Sequence, residues 1–301
     1  MALLHIGAEE GSLASEIFAE IFLHGFLDTL KLIPFLFLTY LLMEFIEHKA
    51  TDKVSRFMKK AGSLGPLAGG ALGAVPQCGF SAAASNLYAA RVISIGTLIS
   101  VFLSTSDEML PILISGGMAG GKIALILLYK TLCGIAAGFI IDLTLRFFKR
   151  KREEINIDAI CDEDNCHCER GIFYSAIHHT LTISLFILIV TFAINAVMFF
   201  ADISAVASAV RELPVISHVI SAIVGLIPNC AVSVALTGLC TGGIISAGTM
   251  MAGLFSGAGV GLLVLFKVNR SLKENLFVVL ILVSLGTAFG LLFDLFFASL
   301  V

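Results

Sequence analysis

Charge is what this sequence has least of. Only 14% of its 301 residues are Asp, Glu, Lys or Arg, while 58% are hydrophobic. A soluble domain carries about 25% charged residues, so the balance excludes a water-facing globule and predicts a polytopic membrane protein. The few basic residues form short clusters between apolar runs; that pattern excludes a nucleic-acid-binding surface and reads as a topology signal. Residues 1–23 hold Glu9, Glu10, Glu16 and Glu20 and no Lys or Arg, the wrong charge for the n-region of a signal peptide. No P-loop occurs, so the chain has no ATPase engine of its own. The lack of HExxH, of GxSxG and of paired catalytic aspartates at recognisable spacing disfavours an intramembrane enzyme. Seven cysteines, an odd number with three crowded into one loop, argue against a disulfide framework.

What the chain has instead is a repeat. Setting 76–106 against 228–258 without a gap gives 10 identities in 31 positions, from Pro76/Pro228 and Cys78/Cys230 to Ser104/Ser256, with Gly73/Gly225 upstream. The offset is 152 residues, and the match reads as an internal duplication. Around it the chain divides into an amphipathic segment (1–23), a first repeat (24–148), a polar loop (149–171) and a second repeat (172–301). Spans are expected at 24–46, 92–115, 119–148, 172–200, 244–266 and 276–300, since about 20 residues cross the hydrocarbon. The Gly-, Ala- and Pro-rich stretches 64–90 and 215–242 fit two half-helices each, broken near Pro76 and Pro228. Irregular backbone at membrane depth is tolerated where protein or a cavity covers it.

If each broken stretch returns to its own side, 15 of the 19 Lys and Arg collect on one side. Treating each as a single crossing splits the large basic clusters, so the positive-inside rule selects the re-entrant hairpin. The predicted fold class is an all-α polytopic membrane protein. Its two inverted-topology repeats each have three spans and one Pro-broken hairpin, or ten spans in all if each hairpin counts as two. Loop 149–171 is then cytoplasmic and both termini lie outside. Inverted repeats of this kind are the architecture of many secondary transporters, whose sites lie where broken helices meet at the midplane.

The candidate site residues follow from that geometry. Pro76-Gln77-Cys78 and Pro228-Asn229-Cys230 sit at the two hairpin tips, where Gln77 and Asn229 offer amides, Cys78 and Cys230 soft sulfur, and Ser81 and Ser233 hydroxyls. As a structural alternative, the prolines merely kink a helix and the cysteines pack as small hydrophobes. Asn86 is a further polar residue in the apolar run. Asp107 and Glu108 have Gly259 and Val260 as repeat partners, so one half alone carries the acids. Lys130, at comparable depth in the next span, is expected to form a structural ion pair with one of them while the other carboxylate binds a cation or proton. Ser104, Thr105, Ser106 and Ser256 add oxygen ligands, which hard cations prefer. His24 and Asp28 share a helical face, with His178 and His179 as their counterparts, and offer metal ligands or a proton relay; the alternative is plain solvation, since all lie near span ends, where a polar residue is ordinary. Cys161, Cys166, His167 and Cys168 offer thiol and imidazole ligands in the acidic loop, as a metal sensor or delivery element against the alternative of a plain flexible loop.

The stretch PQCGFSAAASNLYAARVISIGTLISVFLSTSDEMLPIL resembles the ten-transmembrane heavy-metal exporters, a bacterial membrane family also labelled manganese transporters or arsenic efflux proteins. It is distantly similar to the organoarsenical permeases, which carry a Pro-x-Cys element in a broken helix. The resemblance is strongest at 69–115 and 215–260. It implies an inner-membrane exporter and marks Gln77, Cys78, Ser81, Asn86, Ser104, Thr105, Ser106, Asp107 and Glu108 as motif positions. A secondary transporter exporting a divalent metal ion (Mn²⁺-like) or metalloid is therefore expected. The alternatives are a proton- or sodium-coupled carrier of a small organic solute and, behind it, a channel. No permanently bound cofactor is expected beyond the transported or coupling cation (metal ion, H⁺ or Na⁺). The expected partners are the lipid bilayer and the metal or small-molecule substrate, with no nucleic acid and a homodimer left open.

Overall fold

The computed structural model describes residues 64–75, 78–106, 109–115, 117–147, 172–200 and 214–297, with Leu30, Ile33, Pro34, Leu36, Phe37, Leu38, Tyr40 and Leu41 of the first span. Among the described residues every regular element is a helix: α1 Gly65–Gly73, α2 Cys78–Ala89, α3 Ile95–Ser104, α4 Met109–Ser115, α5 Gly120–Phe147 and α6 Ile172–Phe200. These are followed by α7 Pro214–Gly225, α8 Cys230–Thr241, α9 Ala247–Ser256, α10 Val260–Val268 and α11 Leu272–Phe297. Three apolar helical stretches are long enough to cross a bilayer, namely Gly120–Phe147, Ala247–Val268 and Leu272–Phe297. Leu128, Leu132, Ile140 and Leu143 on α5 and Leu276, Leu280, Leu292 and Leu295 on α11 stand exposed. So much outward apolar surface is a liability in water and suits lipid. The chain is an all-helical, multi-pass membrane protein.

Helix boundaries follow from local chemistry. Pro66 lies in the first turn of α1, where its missing N–H costs nothing. Ser94 and Ser246 cap α3 and α9 by accepting from the backbone N–H of Thr97 and Thr249. The tips between α1 and α2 and between α7 and α8 break near Pro76 and Pro228, as the sequence predicts.

Two further breaks fall inside expected spans. Within 92–115 α3 stops at Ser104 and α4 begins at Met109; within 244–266 α9 stops at Ser256 and α10 begins at Val260, although Ala247–Val268 taken together remains long and apolar enough to cross. The chemistry of the two breaks differs. In the first, Thr105 Oγ1 donates to Val101 O (2.8 Å) and Ser106 Oγ to Ser104 O (3.0 Å), side-chain bonds that compete with the helix ladder. In the second, Gly257-Ala258-Gly259 is a weak helix former, and Gly259 turns with φ 53°.

The helices of 64–147 and 216–297 correspond at the 152-residue offset: Cys78 and Cys230, Ile95 and Ala247, and Gly120 and Leu272 open matched helices. In the first set α1 and α5 pack on α3; in the second α7 and α11 pack on α9. Gly65, Gly69 and Gly73 of α1 lie against Thr97, Val101 and Ser104 of α3 in rising order, so α1 and α3 run parallel. Across α5 the order reverses, with Gly96 on Gly138 and Ser104 on Gly134. The two sets interleave: α2 packs on α10 and α8 on α4, while α3 meets α9 at the centre. A 2.9 Å ion pair between Arg91 and Glu274 puts the α2–α3 turn and the α10–α11 turn at one end of the molecule.

Candidate functional site

The described helices are interrupted at four places: between α1 and α2, α3 and α4, α7 and α8, and α9 and α10. Because α2 packs on α10 and α8 on α4, the helix after the first interruption of each set lies against the helix after the second interruption of the other. α2 and α10 meet at Gly261, in the first turn of α10, where an added Cβ would lie 2.7 Å from Ser81 Cβ and 2.8 Å from Ser81 C. Ser85 Oγ, one turn further along α2, bonds Gly261 O at 2.6 Å. Ser81 is fully buried against this contact, whereas Ser233, its mate on α8, is half-buried and its carbonyl accepts from Thr237 Oγ1 at 2.7 Å.

Cys78 and Cys230 open α2 and α8 as expected. Gln77, Asp107 and Glu108 lie outside the described residues. Asn229 is half-buried, its backbone N–H on Ile227 O at 2.8 Å. Ser104 and Ser256 are the last residues of α3 and α9, both fully buried. Ser256 Oγ donates to Ala222 O (2.6 Å), while Ser104 Oγ has no hydrogen-bond partner among the described residues. Thr105 and Ser106 are buried, each hydroxyl donating to a carbonyl of its own strand of backbone. A hydroxyl that has given its proton to a carbonyl keeps oxygen lone pairs, so this set accepts rather than donates toward anything placed beside it.

Lys130 is 1% exposed and its Nζ donates to Thr105 O, the carbonyl just beyond the end of α3. The C-terminal end of a helix carries partial negative charge, so the ammonium is well placed there. The same position in the second set is Leu282, also fully buried, and the repeat mate of Thr105 is Gly257. One half of the interior therefore carries an ammonium at its break and the other does not.

Asn86 is not part of this group. It lies eight residues beyond Cys78 on α2, where Tyr40 of the first span donates to its Oδ1 (3.1 Å) and its Nδ2 has no partner among the described residues. His178 stands partly exposed in the second turn of α6. The His179 side chain and the residues His24, Asp28, Cys161, Cys166, His167 and Cys168 fall outside what the structure describes. Among the described residues no three His, Cys, Asp or Glu side chains gather as a metal cluster.

The sequence reading missed two carboxylates. Asp142 accepts from Ser94 Oγ (2.6 Å) and Gly96 N (3.0 Å), and Asp294 accepts from Ser246 Oγ (2.5 Å) and Gly248 N (2.6 Å). Each ties the long helix of its set to the start of the broken one. The second clamp adds His218, whose Nε2 lies 3.1 Å from Asp294 Oδ2, where the first set has Pro66. Their signal was present in the sequence: Asp142 and Asp294, Gly134 and Gly286, and Gly138 and Gly290 all stand 152 residues apart, beyond the window aligned above.

No curated protein and no solved structure matches the chain. A family model matches residues 14–208, which takes in the first tip and the first broken helix but ends before 215–260, where the resemblance was also expected to be strong. That family is one of transporters and not an enzyme class. A chain whose helices expose apolar faces for lipid and whose polar residues gather at interior breaks, matched over that span, belongs to the family described as "Putative, 10TM heavy-metal exporter".

Proposed function

We propose that the chain is a secondary active transporter that exports a divalent metal ion (Mn²⁺-like) or a metalloid by alternating access. Its substrate site lies at the midplane, between the two hairpin tips and the two broken helices. The observation that carries the reading is the interleaving of α2 with α10 and α8 with α4, which brings discontinuous helices of both sets to one interior region. Two inverted halves are supported by the Arg91–Glu274 pair, because the turns it joins are not repeat mates. One is the exit of a hairpin and the other the exit of a broken helix, so turning one half over is what lets them share an end. The Lys and Arg clusters at 49–60, 146–152 and 267–273, with Arg91 and Arg170, then face the cytoplasm of an inner membrane.

In this reading Asp107 and Glu108, in the break between α3 and α4, divide their roles. One balances the buried Lys130 ammonium and the other takes the cation, with Ser104, Thr105, Ser106 and Ser256 as oxygen ligands. Gln77, Cys78, Ser81, Asn229, Cys230 and Ser233 line the tips. Proton or sodium exchange drives the cycle.

The test is uptake and efflux in proteoliposomes across Mn²⁺, Fe²⁺, Zn²⁺, arsenite and methylarsenite. Wild type is run beside Asp107→Asn, Glu108→Gln and the double variant Cys78→Ser/Cys230→Ser. Mn²⁺ flux is expected to fall by at least about tenfold in one carboxylate variant, a loss of about 1.4 kcal/mol or more of binding or barrier energy, and to survive loss of the cysteines. Flux lost only with the cysteines would instead mark a thiol-seeking metalloid. No flux of any of the five from active wild-type vesicles would sink the metal reading and promote the organic solute.

A further inference from the structure

We infer that Tyr88, Arg91 and Glu274 form a latch that holds one end of the transporter shut over the interior breaks, and that this end opens when the latch parts. One carboxylate oxygen of Glu274 accepts from Arg91 Nη1 (2.9 Å), Tyr88 Oη (3.1 Å) and Asn269 Nδ2 (3.4 Å). The Arg91 guanidinium also lies 5.4 Å above the Tyr88 ring. Behind the carboxylate, Asn269 Nδ2 donates to Asn275 Oδ1 (2.6 Å) and Asn275 Nδ2 to Asn269 O (3.1 Å), which fixes the α10–α11 turn. Tyr88 and Arg91 belong to the exit of α2, and the other three to the exit of α10. The latch therefore clamps together the two helices whose inner ends meet at Ser81 and Gly261.

Two observations separate this cluster from an ordinary surface ion pair. The first is backbone cost. Arg91 ends α2 with φ 59°, a left-handed conformation that its repeat mate Gly243 adopts with φ 70°. Glycine takes that conformation freely, whereas a residue with a Cβ is strained in it. A side chain kept where glycine would fold more easily points to a use for that side chain.

The second observation is asymmetry. The repeat mates of Tyr88, Arg91, Glu274, Asn269 and Asn275 are Cys240, Gly243, Lys122, Gly117 and Ile123. Gly243 has no side chain to offer, so this ion pair has no counterpart at the opposite end. The network that these five residues build at one end is therefore not repeated by their mates. The Arg91 and Glu274 side chains are 20% and 18% exposed, within reach of water, so the pair can exchange for hydration during a transport cycle.

The inference rests on the interior site proposed above, but its test does not need the substrate. In a chain retaining Cys78 as its one cysteine, a membrane-impermeant maleimide is applied from either side, using vesicles of both orientations. From the Arg91 side, labelling of Cys78 is expected to be slow in the parent. It should rise about tenfold or more in both Arg91→Ala and Glu274→Gln, the shift expected for a closed state losing its favoured contacts. From the other side the rate should not rise, and the exchanged pair Arg91→Glu/Glu274→Arg should recover part of the slow rate. Glu274→Gln keeps the side chain's shape and one acceptor oxygen while removing its charge, so it serves if Arg91→Ala does not fold. Fast labelling of the parent from the Arg91 side would overturn the latch, as would an unchanged rate in Glu274→Gln. Wild-type vesicles without metal flux would count against the proposed function while leaving the labelling result intact.

Discussion

At Gly261 the two sets of helices touch with no room for one more carbon. The atoms an added Cβ would meet include the Ser81 backbone, which cannot rotate away as a flexible side chain would. Gly261→Ala is therefore expected to separate α2 from α10 and lower stability by about 1–3 kcal/mol, read as a fall in the thermal unfolding midpoint in detergent. An unchanged midpoint would mean that the contact yields without cost. Asn86 illustrates a different residue-scale limit. The sequence singles it out correctly as a polar group in an apolar run, yet its described partner is Tyr40, far along the chain. Composition identifies a group that must be satisfied, and only packing decides whether a ligand or a tyrosine satisfies it.

Elements in this chain end for reasons that are partly local. The proline tips were legible because Pro removes a donor and disfavours helix in the residue before it. The breaks after Ser104 and Ser256 were not, because hydroxyl back-bonding and a Gly-Ala-Gly run only weaken a helix, and apolar helices with such residues often continue. The carboxylate clamps were also invisible to local reading. Asp142 and Asp294 act on the first turns of α3 and α9, accepting from Gly96 and Gly248, which lie 46 residues away in the chain. Asp142→Asn and Asp294→Asn should each cost about 0.6–1.7 kcal/mol, the usual range for hydrogen bonds between membrane helices. Since the clamps sit in separate helix sets, the double variant should lose the sum of the two. Steric-trap or denaturant unfolding of the four species checks this, and a double loss well below the sum would show that the clamps share a cooperative unit.

For the whole molecule, the central prediction concerns sidedness. If the two halves are inverted, cysteines introduced at Arg91 and Lys273 should label from the same face of the membrane, and those at Lys122 and Gly243 from the opposite face. Labelling of Arg91 and Gly243 from one face would mean parallel halves and would remove the midplane site as drawn. The sequence by itself determined the membrane class, the 152-residue duplication, the proline tips and the singular acids of one half. These follow from composition, from residues that match at a fixed offset, and from side chains whose chemistry alone says that a partner must offset their cost in lipid. Only the tertiary structure decided that α2 serves the opposite set, that Lys130 donates to the carbonyl just beyond the end of α3, and that Arg91 reaches Glu274. Such contacts join residues far apart in the chain through the close approach of glycine-lined helices. No local periodicity records which of several apolar faces will find which partner.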